Sequence, residues 1–339
     1  MSNKTIYFRA DGNHEIGLGH IYRVISLKEM LEQHFECVFL LKDSNREILS
    51  ILQNSFSTIK FIPDFSSTRE EAEYIADNYT LKNQLAVLDG YHFNNTYQGI
   101  LKKEGCKLIS IDDLHQDEFQ SDLIINHGSG AKKEDYITKP YSKLLLGVNY
   151  LIQRKVFLDA AKNNPSQSSL ENIFICFGGS DYHNLSLKIA QFCEKSNSIS
   201  NAIVVTGKAY SGNNELEKLT KVSLFHNLSA EELLDKMRLC SIAIAPASGI
   251  SYELISSKTG LISGFYTNNQ LDILKGLDES KSIFNVGDFR TLNYDFFEKA
   301  LLQLQDINYL SQQLHNQQTF IDGNSGERIL AEFLELSES

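Results

Sequence analysis

Apolar, strand-like runs alternate with helix-period segments along the whole chain. The first half reads TIYFRA, a helix from about His20, CVFLL, a helix around Arg46 to Gln53, and STIKFI. It continues with a helix near Thr68 to Tyr79, LAVLD, a helix around Asn94 to Lys103, CKLISID and DLIIN. Strands buried on both faces are continuous apolar runs, and their alternation with helices predicts parallel βαβ units. The polar stretch LDAAKNNPSQSSLEN, 158–172, interrupts the series and is taken as an interdomain linker. The alternation then restarts with NIFICFGG, a helix from His183 to about Glu194, AIVVTG, VSLFHN, a helix from Ser229 to Arg238, SIAIAPAS, a helix from Gly249, and GLISGF. Two amphipathic helices, roughly Tyr294 to Leu304 and Glu327 to Glu335, close the chain. The pattern predicts an α/β protein of two Rossmann-like, doubly wound domains, residues 1–160 and 170–339. These are expected to face each other across a cleft at the carboxyl ends of their strands, where open α/β sheets bind ligands.

Composition narrows the picture. At 339 residues the chain exceeds the size at which one core is usual. With 42% hydrophobic residues, 22% charged residues and four prolines it is a globular protein, not a disordered one. A formal charge of -11 excludes an extended nucleic-acid surface, which needs clustered Lys and Arg, but not a small phosphate ligand held by backbone N–H groups. The start lacks the apolar region of a secretory signal and no run reaches membrane-spanning length, so a cytoplasmic protein without a membrane partner, and a monomer, is expected. Cys37, Cys106, Cys176, Cys193 and Cys240 are scattered and mostly embedded in apolar segments. They are reduced core residues rather than zinc ligands.

Chemistry should lie in loops that follow strands. In RADGNHEIGLGH, Gly17 and Gly19 let the backbone approach a ligand closely, and His20 falls at the start of a helix with an apolar stripe at Ile21, Val24, Ile25, Leu27 and Leu31. The positive end of a helix favours an uncharged imidazole, which suits a general base. A glycine-lined loop whose histidine only caps the helix fits the local sequence equally. FGGSDYHN repeats the arrangement later: Gly178 and Gly179 permit backbone approach, whereas Ser180 or Asp181 alone would be an ordinary helix cap. In APASGISYE, the N–H groups from Ser248 through Gly249, Ile250 and Ser251 open a helix and could hold a diphosphate. Glu253, a turn inside, could accept from ribose hydroxyls or simply complement the helix dipole. Asn269 and Gln270, at another helix start, could contact phosphate or sugar, or cap the helix. Asp89, Tyr91, Asp112 and Asp113 stand at strand ends, where paired carboxylates could serve a metal or acid/base work; for the adjacent pair Asp112 and Asp113 a turn is the favoured reading. Neither a Ser/His/Asp arrangement nor HExxH can be located.

In order along the chain, FRADGNHEIGLGHIYR, LDGY, SIDDLHQDEFQSDLIIN, LLLGVNYLIQRKVF, FICFGGSDYHN, SGISYE and TNNQ resemble the UDP-2,4-diacetamido-2,4,6-trideoxy-β-L-altropyranose hydrolase family of pseudaminic acid synthesis. The resemblance implies a glycosyltransferase-B-like fold and a UDP-sugar as small-molecule partner, with no metal and no cofactor. It implies that His20 acts on a water that attacks the anomeric carbon with inversion, with Glu253 on the ribose and Asn269 and Gln270 near diphosphate and sugar. Arg23 takes a supporting role, and Asp11 and Tyr91 are sugar-side contacts. The chain departs from the family at Ala247 to Ile250, where a Gly-Gly-Ser-Thr-like run is usual, and at Tyr252, where Trp is common. A UDP-sugar-dependent transferase and a non-catalytic nucleotide-sugar-binding protein are the competing readings.

Overall fold

The computed structural model describes residues 4–12, 18–116, 118–163, 169–179, 181–207, 210 and 212–339. The chain divides into two compact units, Met1–Lys155 with Ser325–Ser339, and Val156–Asn324. No helix among the described residues is long and apolar enough to cross a membrane.

The first unit is built on seven parallel strands: β1 (Thr5–Ala10), β2 (Glu36–Lys42), β3 (Thr58–Ile62), β4 (Leu85–Asp89), β5 (Lys107–Ile111), β6 (Leu123–Asn126) and β7 (Lys143–Leu146). Their order is β3-β2-β1-β4-β5-β6-β7, so the winding reverses between β1 and β4. Alternate residues of β1 explain the double winding. Ile6, Phe8 and Ala10 join one core cluster with Val24 and Leu27 of helix α1 (Gly19–Leu31), while Tyr7 joins another with Ala72 and Ile75 of α2 (Thr68–Asn78) and Tyr97 of α3 (Asn95–Lys103). The α1 stripe predicted from spacing, Ile21, Val24, Ile25, Leu27 and Leu31, is the buried face. Helices α2 and α3 begin where side chains cap them: Ser67 accepts from Glu70 N and Asn94 from Tyr97 N.

The second unit holds six parallel strands: β8 (Ser169–Ile175), β9 (Asn201–Thr206), β10 (Val222–His226), β11 (Cys240–Pro246), β12 (Gly260–Phe265) and β13 (Phe284–Asp288). Their order is β10-β9-β8-β11-β12-β13, with the reversal between β8 and β11. Helix α4 (Leu185–Lys195) follows β8, α5 (Gly249–Ser256) follows β11, and α6 (Ile307–Phe320) lies near the end of the unit.

Three expectations shift. The segment from Arg46 to Gln53 is a 3-10 turn, Asp43–Ile48, running into a short helix, Leu49–Gln53. The polar stretch 158–172 is mostly structured: Lys155–Lys162 is helical with Phe157, Leu158, Ala160 and Ala161 buried, and β8 begins at Ser169. The last helix, α7 (Ser325–Glu338), does not stay with 170–339 but joins the first unit, because Ile329 and Phe333 lie in the cluster that packs β1 and α1.

Candidate active site

In the first unit the chemistry gathers at the carboxyl ends of β1, β4 and β5. Asp89 closes β4 and is wholly buried. His20 and Arg23, one turn apart on α1, both meet it. His20 Nδ1 lies 2.7 Å from Asp89 Oδ1. Arg23 donates Nε to Asp89 Oδ2 at 2.7 Å and Nη2 to Oδ1 at 2.5 Å, a bidentate fork. Arg23 Nη2 also comes within 3.0 Å of His20 Nδ1, converging on the same carboxylate oxygen. Burial alone would lift the Asp89 carboxyl; the Arg23 guanidinium, its hydrogen bonds and then His20 outweigh it and hold the acid below the usual carboxylate range. An ionised carboxylate only accepts, so the Nδ1 proton of His20 is donated to Asp89 and the lone pair of a neutral ring falls on Nε2. Nε2 has no partner among the described residues. The histidine therefore does not serve merely as a cap: the start of α1 carries no side-chain cap at all.

Tyr91, in the turn after β4, stands edge-on to His20 with ring centroids 5.0 Å apart. Burial, then the neighbouring Asp113 carboxylate, pushes its phenol up to about 12, so it stays protonated. Arg23 Nη1 reaches Asp113 Oδ2 at 3.2 Å. Gly19 opens α1, and a Cβ there would meet nothing within 4 Å, so no packing constraint requires a glycine. Gly17 lies outside the described residues.

Asp11, expected on the sugar side with His20, is part of an adjoining, largely buried ion cluster. Its oxygens accept from Arg9 Nη1 and Nη2 at 2.6 and 3.1 Å. Arg9 is also paired with Glu71 at 2.8 Å, Glu71 with Lys42 at 2.8 Å, and His92 Nε2 lies 3.2 Å from Asp11. Burial opposes ionisation of Asp11, and Arg9 outweighs it. Arg9 thus takes one hydrogen bond on each Asp11 oxygen, and the side chain stays partly exposed to a ligand.

The second unit places its predicted residues at the ends of β8, β11 and β12. Helix α5 starts at Ser248–Gly249 without a side-chain cap; Ser251 N donates to Ser248 O at 2.9 Å, and the N–H groups of Gly249 and Ile250 are left for a ligand or solvent. Gly249 is open to substitution sterically, Ile250 is half-buried, and Glu253 is half-buried one turn in. Ser251 is different: it is fully buried and its hydroxyl donates to Ser248 O at 2.6 Å. Gln270 is buried and its Oε1 accepts from Tyr266 N at 2.9 Å, while Asn269 Oδ1 accepts from Thr267 Oγ1 at 2.6 Å. Asn269 keeps its NH2 group as a donor, and the Gln270 side chain also bonds the Tyr266 hydroxyl. Asp181 takes the capping role at α4, accepting from Leu185 N at 2.8 Å and Ser186 N at 2.7 Å. Structural reasons for glycine at 178 and 207 stand beside any ligand role, whereas a Cβ on Gly179 would meet nothing within 4 Å. Gly178 adopts φ +84°, and Gly179 backs onto Gly207, where a Cβ would lie 2.4 Å from Gly179 Cα.

Sequence reasoning did not single out Gly207, Lys42, Glu71 or His127. His127 follows β6 and accepts from Ile152 N at 3.2 Å. Among the described residues no group of three or more His, Cys, Asp or Glu is arranged to hold a metal ion.

No protein-family model matches the chain. Over 275 residues it is 28% identical to the UDP-2,4-diacetamido-2,4,6-trideoxy-β-L-altropyranose hydrolase of Campylobacter jejuni, spanning 78% of this chain and 93% of that protein. Among solved structures, Acinetobacter baumannii MurG is similar with a TM-score of 0.67 at 11% identity, covering 98% of this chain and 99% of that one. The calicheamicin glycosyltransferase CalG4 is similar with a TM-score of 0.68 at 9% identity, covering 99% and 98%. Two parallel Rossmann-like sheets of seven and six strands, together with these likenesses, give the chain a glycosyltransferase-B-like fold.

Proposed function

We propose that this protein is a hydrolase that releases UDP from a UDP-sugar, with UDP-2,4-diacetamido-2,4,6-trideoxy-β-L-altropyranose or a close analogue as substrate, in pseudaminic acid synthesis. The observation that carries the reading is the 2.7 Å contact of His20 Nδ1 with buried Asp89, which fixes the ring and leaves Nε2 as the basic nitrogen. The 28% identity to the Campylobacter jejuni hydrolase supports the choice of reaction. In this reaction His20 Nε2 takes a proton from water as the water oxygen bonds to the anomeric carbon. The bond from that carbon to the diphosphate oxygen breaks on the opposite side, its electron pair leaves with UDP, and the configuration inverts. In this reading the Gly249 and Ile250 N–H groups at the uncapped start of α5 meet the leaving diphosphate, with Glu253 assigned to the ribose and Asn269 and Gln270 to polar contacts with diphosphate and sugar.

Incubation with this UDP-sugar in 18O-labelled water should release UDP and place the label on the sugar. His20→Ala should lower the rate about 100-fold or more while leaving the fold intact. Undiminished release by that variant overturns the assignment. The likeness to MurG and CalG4 favours a second reading, transfer of the sugar to an acceptor hydroxyl. It is distinguished by UDP release that depends on an added acceptor and leaves no label in the sugar.

A further inference from the structure

Adjacent aspartates after β5 do different work, although their sequence suggests one shared turn. Asp112 is the turn residue: its Oδ2 accepts from His115 N at 2.8 Å and from Tyr136 OH at 2.9 Å. The Tyr136 oxygen accepts in turn from Asn126 Nδ2 at 2.8 Å, which ties the loop to the end of β6. Asp113 takes no part in this network. Its side chain is 41% exposed, and its Oδ2 alone is held, by Arg23 Nη1 at 3.2 Å and, more loosely, by Tyr91 OH at 3.5 Å. Oδ1 has no partner among the described residues. Nothing in the packing requires a carboxylate there, yet the side chain is fastened through Arg23 to the same guanidinium that grips Asp89 beside His20.

An anchored carboxylate with one open oxygen is an acceptor for O–H or N–H groups. The local charge favours neutral donors over phosphate: the two carboxylates Asp89 and Asp113 face the single guanidinium of Arg23. Tyr91, whose hydroxyl lies 3.5 Å from Asp113 Oδ2, is 60% exposed and offers apolar ring surface beside this carboxylate. We propose that Asp113 is a specificity-determining residue that accepts, through Oδ1, a hydrogen bond from a hydroxyl or acylamino N–H of the sugar. This rests on the UDP-sugar reading above and names the part of the substrate that the first unit takes.

The test compares wild type, Asp113→Ala and Asp113→Asn in UDP release from UDP-2,4-diacetamido-2,4,6-trideoxy-β-L-altropyranose, and in calorimetric binding of UDP. Asp113→Ala should raise KM about tenfold with kcat within about threefold of wild type and UDP affinity unchanged. Asp113→Asn, which keeps an acceptor oxygen, should recover most of the KM. A KM within about twofold of wild type in Asp113→Ala overturns the inference. So does a parallel fall in UDP affinity, or a loss confined to kcat, which would make Asp113 only a brace for Arg23 and His20. If wild type releases no UDP, the hydrolase reading fails while Asp113 is still decided by calorimetry. The preference of the protein for the UDP-sugar over UDP should then disappear in Asp113→Ala, and an unchanged preference, or no binding of either compound, overturns the inference.

Discussion

At the scale of single residues, the site depends on which groups carry charge. His127 is pushed down to about 4 by burial and then by the positive charge of Arg23, against the weaker pull of Asp89 and Asp113. In an unfolded chain a histidine titrates near 6.5. Between these values the unfolded chain binds a proton that the native protein refuses. The contribution of His127 to stability is therefore complete above about pH 6.5 and is lost as pH falls toward about 4. Asp11, Glu71 and Asp89 are held below their ordinary range, so their contributions are lost only at lower pH, as pH falls through their folded values. The two windows separate the histidine from the carboxylates. His127→Gln keeps an acceptor for Ile152 N but cannot protonate, so its stability deficit relative to wild type should narrow by about 2 kcal/mol between pH 7 and pH 5 in urea unfolding. A deficit that is the same at both pH values overturns this assignment. His20 was legible in the sequence because a glycine-flanked histidine at a helix start is a local pattern. Its dependence on Asp89 was not, since the partner lies 69 residues away and depends on β1 and β4 being neighbours.

At the scale of elements, the sequence was most informative where strands are buried on both faces. LAVLD and the apolar part of SIAIAPAS lie almost wholly in the core and give unbroken apolar runs. Strand β13, FNVGD, is half-buried at the sheet edge and too polar to stand out, and α6 hides its helical stripe because buried Gln313 and Gln317 occupy core positions. Those glutamines bond to the backbone of the neighbouring strand and loop: Gln313 Oε1 accepts from Leu261 N, and Gln317 Nε2 donates to Thr259 O and Ser282 O. Loops meeting across strands are likewise invisible to a local pattern. Gly207, after β9, shares its space with Gly179, after β8, and a methyl group there would have to move backbone rather than a flexible side chain. Gly207→Ala should cost about 1–3 kcal/mol and displace the Gly178–Gly179 loop, which calorimetry would register as weaker UDP binding. Unchanged stability and UDP affinity would show that the two loops yield without consequence.

At the scale of the whole molecule, two parallel sheets with helices between their strands follow from alternation alone, but the return of the chain to its first unit does not. The segment after Asn324 has the same amphipathic pattern as the helices before it, and a periodicity says that a face is buried without saying against what. The answer lies in shape and partners. Phe333 packs edge-on to Phe35 at 6.4 Å, Ile329 and Phe333 are wholly buried in the cluster of α1 and β1, and Ser325 Oγ donates to Leu151 O at 2.7 Å. At the outer end Lys143 of β7 pairs with Glu332 at 2.5 Å. Helix α1 carries His20 and Arg23, and its apolar face shares one core cluster with α7, so α7 supports the helix that carries the candidate site. Phe333→Ala removes a buried aromatic ring and should cost about 3–5 kcal/mol. The loss should be local: hydrogen exchange should quicken in α1 and β1 while β8 and β11 keep their protection, because no core residue of the second cluster contacts Phe333. UDP binding, assigned to the second unit, should survive in the fraction that stays folded while UDP release falls. Uniform loss of protection in both units would instead mean that they unfold as one cooperative body, and that α7 belongs to the stability of the whole chain rather than to the half that carries His20.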